Sequence, residues 1–170
     1  MSRALLVGVN HAHQYPGNPH GSSENFTSFL ESESRRYDID LLAEEMSLEA
    51  LRRQHLKISS VQMVATRLEI RHVLCDPDQL ERERLGIPST EEIKAELAIG
   101  ACMTDTQISI LDKKERSFWP KREEEWLRRA NTINHRTCLF VIGSAHIPTF
   151  FSLLNQSNYQ TTVLCERWNG

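Results

Sequence analysis

The sequence predicts an α/β fold, a mainly parallel sheet with helices on both faces, and three observations predict it. Short apolar runs rich in β-formers alternate with segments of helical period along the chain. The runs are continuous rather than alternating in and out, as expected of strands buried on both faces. The 170 residues contain no repeat, linker or low-complexity tract, so residues 1–170 read as a single domain.

Each element follows from local chemistry. Ala4 to Val9 is a short apolar run that stops at the polar stretch Asn10 to Ser23, a first strand and its loop. Ser22 or Ser23 can cap a helix that places Phe26, Phe29 and Leu30 on one side. Tyr37 to Ala43 reads as the second strand, ending on Glu44-Glu45. Ser47 to Arg53 and Ser59 to Leu68 have helical spacing. Arg71 to Cys75 is a third strand, which Pro77 ends because proline cannot donate to a ladder. Gln79 to Leu85, closed by Gly86, and Thr90 to Ala101 read as helices, while Met103 to Arg116 fits no single pattern and its charged end, from Asp112, reads as a solvated loop. A helix opens near Pro120, carries Glu123 to Glu125 in its first turn, where its dipole favours negative charge, and continues through Trp126, Leu127, Ala130 and Ile133. Thr137 to Ile142 is the most apolar strand, a helix with Phe150, Phe151 and Leu154 follows, and Thr161 to Cys165 completes the sheet.

Composition narrows the function. Twenty Lys and Arg against 23 Asp and Glu give a net charge of −3, which supplies no basic face for nucleic acid or for an anionic membrane. The apolar start of the chain is too short for a signal segment or a membrane span, so a cytoplasmic protein is expected. The four cysteines are widely spaced without Cys-x-x-Cys, which points to free thiols rather than a zinc knuckle or a redox pair. Neither Gly-x-x-x-x-Gly-Lys-Ser/Thr nor Gly-x-Gly-x-x-Gly is present, which disfavours an NTPase or a dinucleotide oxidoreductase.

Ligands of an open α/β sheet bind beyond the carboxyl ends of its strands. Here four such ends carry ionisable groups: His11 and His13 after the first strand, Glu44 and Glu45 after the second, Asp76 and Asp78 after the third, and His146 after the fourth. Each alone reads as a turn former, a helix cap or an ordinary surface histidine; their coincidence carries the expectation of a site. Two Gly-x-x-His stretches, Gly8 to His11 and Gly143 to His146, place an imidazole three residues beyond a glycine that lets backbone approach closely. A neutral imidazole can take a proton from water or bind a divalent metal, and two histidines with a glutamate suffice for an open metal site.

Gly8 to His11, Glu45-Met46, Arg122 with Trp126 one turn later, and Gly143 to His146 together resemble the erythromycin esterase, ChaN, TraB and Tiki superfamily. Cys75-Asp76-Pro77-Asp78, Glu81-Arg82, Leu85-Gly86-Ile87, Arg122-Glu123, Trp126 and Trp168 look like a bacterial group within or near it. The resemblance implies a Rossmann-like three-layer sandwich and a site built from His11, Glu45, Arg122 and His146. Its members include ester and peptide hydrolases, some metal-dependent, and haem binders.

The expected function is a small hydrolase acting on a small molecule or short peptide. His146 would be general base or metal ligand, His11 the second ligand or acid, and Glu45 the group that orients water or binds the metal. Arg122 would hold an anionic group or a developing oxyanion. Glu44 joins the catalytic candidates, although successive side chains of an extended strand face opposite ways. His13 and Asp76 are candidates for substrate contact. The cofactor expected is a divalent metal held by His11, Glu45 and His146. The alternatives are a non-catalytic binder of an anionic, nucleotide or haem-like ligand, with Gly17, Gly21, Ser22 and Ser23 offering backbone N–H groups to phosphate, or a defence-associated interaction module. A homodimer is the default assembly for so small an α/β protein.

Overall fold

The computed structural model describes residues 2–17 and 23–169. Five strands form an all-parallel sheet in the order β3-β2-β4-β1-β5, the centre of a Rossmann-like three-layer sandwich. They are β1 Arg3–Val9, β2 Leu41–Glu44, β3 Arg71–Leu74, β4 Thr137–Gly143 and β5 Gln160–Cys165. The helices are α1 Ser23–Arg36, α2 Leu48–Arg53, α3 Ser60–Leu68, α4 Gln79–Arg84, α5 Thr90–Glu96, α6 Asp105–Arg116, α7 Trp119–Asn131 and α8 Ile147–Gln156.

Alternation along the central strands divides the core in two. Ala4, Leu6, Leu41, Ala43, Cys138 and Phe140 pack towards Trp126 of α7 and Phe150 and Leu154 of α8. Leu5, Val7, Leu42, Leu139 and Val141 pack on the other face against Phe26 and Leu30 of α1 and Val61 and Val64 of α3. Because side chains two apart share a face, Glu44 follows Leu42 towards α3, whereas Glu45 follows Ala43 towards α7. The helix after β1 and the helix after β4 therefore lie on opposite faces of adjacent strands. That arrangement opens a crevice between the carboxyl ends of β1 and β4.

Three boundaries differ from the sequence expectation, each for a local reason. The second strand starts at Leu41 rather than Tyr37, because α1 closes through Asp38 in the left-handed region (φ 50°) and Ile39 donates to the Ser34 carbonyl. The fifth helix stops at Glu96, since Ala98 takes φ 53°. The stretch Met103 to Arg116 contains a helix, α6, started by a capping box between Thr104 and Gln107, and the charged residues from Asp112 are its last turns. Among the described residues, no helix is long and apolar enough to cross a membrane.

Candidate functional site

β1 and β4 run side by side with Gly8 opposite Ile142 and Val9 opposite Gly143, so their Gly-x-x-His stretches leave the sheet at one place. His11 opens a 3₁₀ turn capped by the Asn10 side chain, which accepts from the Ala12 N–H. His146 closes a second 3₁₀ turn, Ser144–His146, that leads into α8. Both rings reach the Glu45 carboxylate: His11 Nε2 lies 3.6 Å and His146 Nε2 3.7 Å from the same Oε1.

Glu45 is held from two further directions. The Gly143 N–H donates to its Oε2 at 2.7 Å, and Arg122 Nη2 donates to Oε1 at 2.9 Å. Arg122 also donates to Asp76 Oδ1 through Nε (3.1 Å) and Nη2 (2.8 Å). Trp126 Nε1 donates to that same Oδ1 at 3.1 Å, and Arg82 bonds Oδ2. Burial pushes the Asp76 carboxyl up, but the charges of Arg122 and then Arg82, with hydrogen bonds from Arg122 and Trp126, outweigh it and hold Asp76 below the usual carboxylate range. Arg122 is thus engaged by two buried carboxylates, and of its donors Nη1 makes none of these bonds.

Each imidazole is anchored at its other nitrogen. His146 Nδ1 lies 2.7 Å from Glu123 Oε1, which also accepts from the Thr149 hydroxyl at 2.6 Å. The rings of Trp119 and Trp126, 3.9 and 4.8 Å from that of His146, leave its side chain 6% exposed. His11 Nδ1 lies 2.7 Å from Gln14 Oε1, and the His11 side chain is 46% exposed. It borders a cleft of about 170 Å³ with Tyr15, Glu45, Asp76, Arg82 and Arg122. Burial, followed by the charge of Glu44, raises the Tyr15 phenol above its usual value, so Tyr15 keeps an O–H donor beside the cleft.

Of the residues singled out in the sequence, His11, Glu45, Arg122 and His146 meet at one point, and Asp76 joins them through Arg122. Glu44 lies on the other side of β2, where it accepts from the Ser59 hydroxyl, contacts His72 Nε2 at 2.7 Å and accepts from Gln14 Nε2 at 3.1 Å. Among the described residues its hydrogen-bonded link to the site runs through Gln14. His13 turns away, edge-on to Trp168 at 4.8 Å and 6.2 Å from Phe26. Gly21 and Ser22, proposed for phosphate, lie outside the described residues. Among the described residues no group of three His, Cys, Asp or Glu side chains is gathered so as to hold a metal ion, the expected trio of His11, Glu45 and His146 included.

Gln14, Glu123, Thr149 and Trp119 complete the site without having been singled out for it. In the sequence Glu123 reads as a helix-dipole partner and as part of the Arg122-Glu123 pair, with no role in the site; buried one turn into α7, it faces His146. The cysteines are free, and burial followed by the charge of Glu44 pushes the Cys75 thiol well above its usual range, so this thiol is an inert part of the core. Comparison with models of protein families, with curated proteins and with solved structures finds no match to this chain.

Proposed function

We propose that the chain is a small hydrolase in which His11 and His146 activate water for attack on an ester or amide. One observation carries the reading: two imidazoles present Nε2 to one oxygen of Glu45 while an acceptor holds each Nδ1. An acceptor at Nδ1 keeps the ring proton there and leaves a lone pair on Nε2. Two bare imidazole nitrogens then face one carboxylate oxygen, an arrangement that suits a water molecule donating its two hydrogens to two of these atoms and giving up a proton to an imidazole. Glu123, hydrogen-bonded to His146 Nδ1, would stabilise the imidazolium that forms. Glu45, held by Arg122 and the Gly143 N–H, would orient the water. Tyr15, Arg82 and Arg122 border the same cleft, and their donors would meet a developing oxyanion.

The cleft, about 170 Å³, is smaller than the roughly 300–1,000 Å³ typical of drug-sized ligands, which favours a small molecule or a short peptide end. His11, Glu45, Arg122 and His146 are also the residues that carry the resemblance to the erythromycin esterase, ChaN, TraB and Tiki superfamily, and their meeting supports treating them as one site. The buried free thiols Cys75 and Cys138 support a reducing compartment, the cytoplasm.

The test is turnover of nitrophenyl esters and aminoacyl nitroanilides by the wild type and by His146→Ala, with elemental analysis of the purified chain. The expected result is hydrolysis above the buffer rate that falls about 10²–10⁴-fold in the variant. Activity lost to a chelator and restored by a divalent cation would overturn the activation of water by the two imidazoles alone. No turnover with or without added divalent cations, or an unchanged rate in His146→Ala, would overturn the hydrolase.

A further inference from the structure

The carboxylate that the strand turns away from the cleft is joined to it by a directional chain. Glu44 is fully buried and so is Gln14. The hydroxyl of Ser59 accepts from the Gln62 N–H as the cap of α3, which leaves its hydrogen for Glu44 Oε1. His72 Nε2 meets that same oxygen at 2.7 Å, and Oε2 faces Gln14. A carboxylate oxygen accepts, so Gln14 must turn its NH₂ to Glu44 and its carbonyl to His11. A carbonyl also only accepts, so His11 Nδ1 must carry the ring hydrogen and Nε2 must be bare. The direction of every bond from Glu44 to His11 is thereby set.

We propose that Glu44 is a positioning residue which, through Gln14, fixes the tautomer of His11 so that this ring enters the site as a base. Gln14 is the element that transmits it: reversing its amide would put the hydrogen on Nε2 and turn the same ring into a donor. The catalytic meaning rests on the hydrolase reading, but the tautomer itself does not. His146 needs no such relay, because Glu123 contacts its Nδ1 directly.

Long-range ¹H–¹⁵N spectra of the histidine side chains test this without any substrate, recorded above about pH 8, where an ordinary imidazole is neutral. The His11 signals are assigned by their loss in His11→Ala. In the wild type, His11 should show a protonated Nδ1 and a bare Nε2. Glu44→Gln lets the Gln14 amide take either direction, and Gln14→Leu removes the acceptor; both should move the two nitrogens towards their tautomer average. Ser59→Ala disturbs the same buried carboxylate without touching Gln14 and should leave the His11 shifts in place. A bare Nδ1 in the wild type overturns the proposal, whether or not the variants fold. So do unchanged shifts in the folded Glu44→Gln or Gln14→Leu, or an equal displacement in Ser59→Ala. The expected spectra from a chain that turns over no substrate would sink the hydrolase and leave the tautomer relay standing.

Discussion

The two Gly-x-x-His stretches are alike in sequence and leave adjacent strands, yet their residues do different work. In the first, the glycine serves the fold. A Cβ at Gly8 would lie 2.0 Å from the backbone oxygen of Glu166, beside the register shift between β1 and β5 and next to the bond from the Trp168 N–H to the Gly8 carbonyl. In the second, the glycine serves the site, since a Cβ at Gly143 would meet the side chains of Glu45 and His11. The histidines divide as well: His11 is half-exposed and held through a neutral amide, whereas His146 is enclosed by two tryptophans and held by a carboxylate. A shared motif therefore marks a place in the topology and leaves the role of each residue to its neighbours.

The sharpest break in the comparison lies between the two imidazoles. His146→Ala should lower turnover by about 10²–10⁴-fold and also destabilise the chain by about 1–3 kcal/mol, because it leaves Glu123 buried with one partner fewer. His11→Ala should also impair turnover, yet stay within about 0.5 kcal/mol of the wild type in denaturant unfolding, since its ring is half in water. Equal stability losses in the two variants would show that exposure does not separate them.

Backbone crowding gives the next effect. Gly8→Ala must part the strand from Glu166, and Trp168 packs into the core beside Phe26, so the contact cannot relax cheaply. A loss of about 1–3 kcal/mol or more is expected in urea unfolding. A variant of wild-type stability would mean that the segment after β5 can move, and that the first glycine is not held by the fold.

How much of this was legible follows from range. Periodicity and continuous apolar runs are local, and they give the parallel sheet, both covered faces and the strand ends that carry His11, Glu45 and His146. The order of strands is not local, but placing ligands beyond the carboxyl ends of the sheet required no order. What escaped is what distant packing decides. Glu123 meets His146 only because α7 lies beside α8, 23 residues apart in the chain. Gln14 matters only because it bridges Glu44 and His11. His13 is two residues from His11, but the 3₁₀ turn rotates it onto Trp168, which a strand-like alternation would not predict.

The buried half of the site should also carry an acid-sensitive part of the stability. Asp76 is held below its ordinary value of 3.8, so its contribution is complete above that pH and is lost as the pH falls through the lower, folded value. Unfolding free energies measured from pH 5 downwards should therefore fall more steeply for the wild type than for Asp76→Asn, and the gap between the two should close below about pH 4. Arg82→Ala should make the wild-type curve shallower, because it removes the second of the two charges on Asp76. A gap that stays constant with pH would show that Asp76 acts through shape alone.

The smallest effect asks most of the comparison, because it must alter the site and spare the fold. At Gly143 the added Cβ lies 3.1 Å from Glu45 Oε2 and 3.2 Å from His11 Nε2, and both are the ends of side chains rather than backbone. The backbone there is ordinary, with φ −55°, so alanine brings no conformational strain. His11 has room to yield towards solvent, whereas Glu45 is tied to Arg122 and to the Gly143 N–H itself. The displacement of a few tenths of an ångström should therefore fall on His11, widening its approach to Glu45. Gly143→Ala should keep its unfolding free energy within about 1 kcal/mol of the wild type and lose roughly tenfold in turnover, given that about 1 Å of misplacement can cost 10²-fold. The opposite pattern, with stability lost and turnover per folded molecule intact, would make the second glycine a packing residue like the first and remove the distinction between the two stretches.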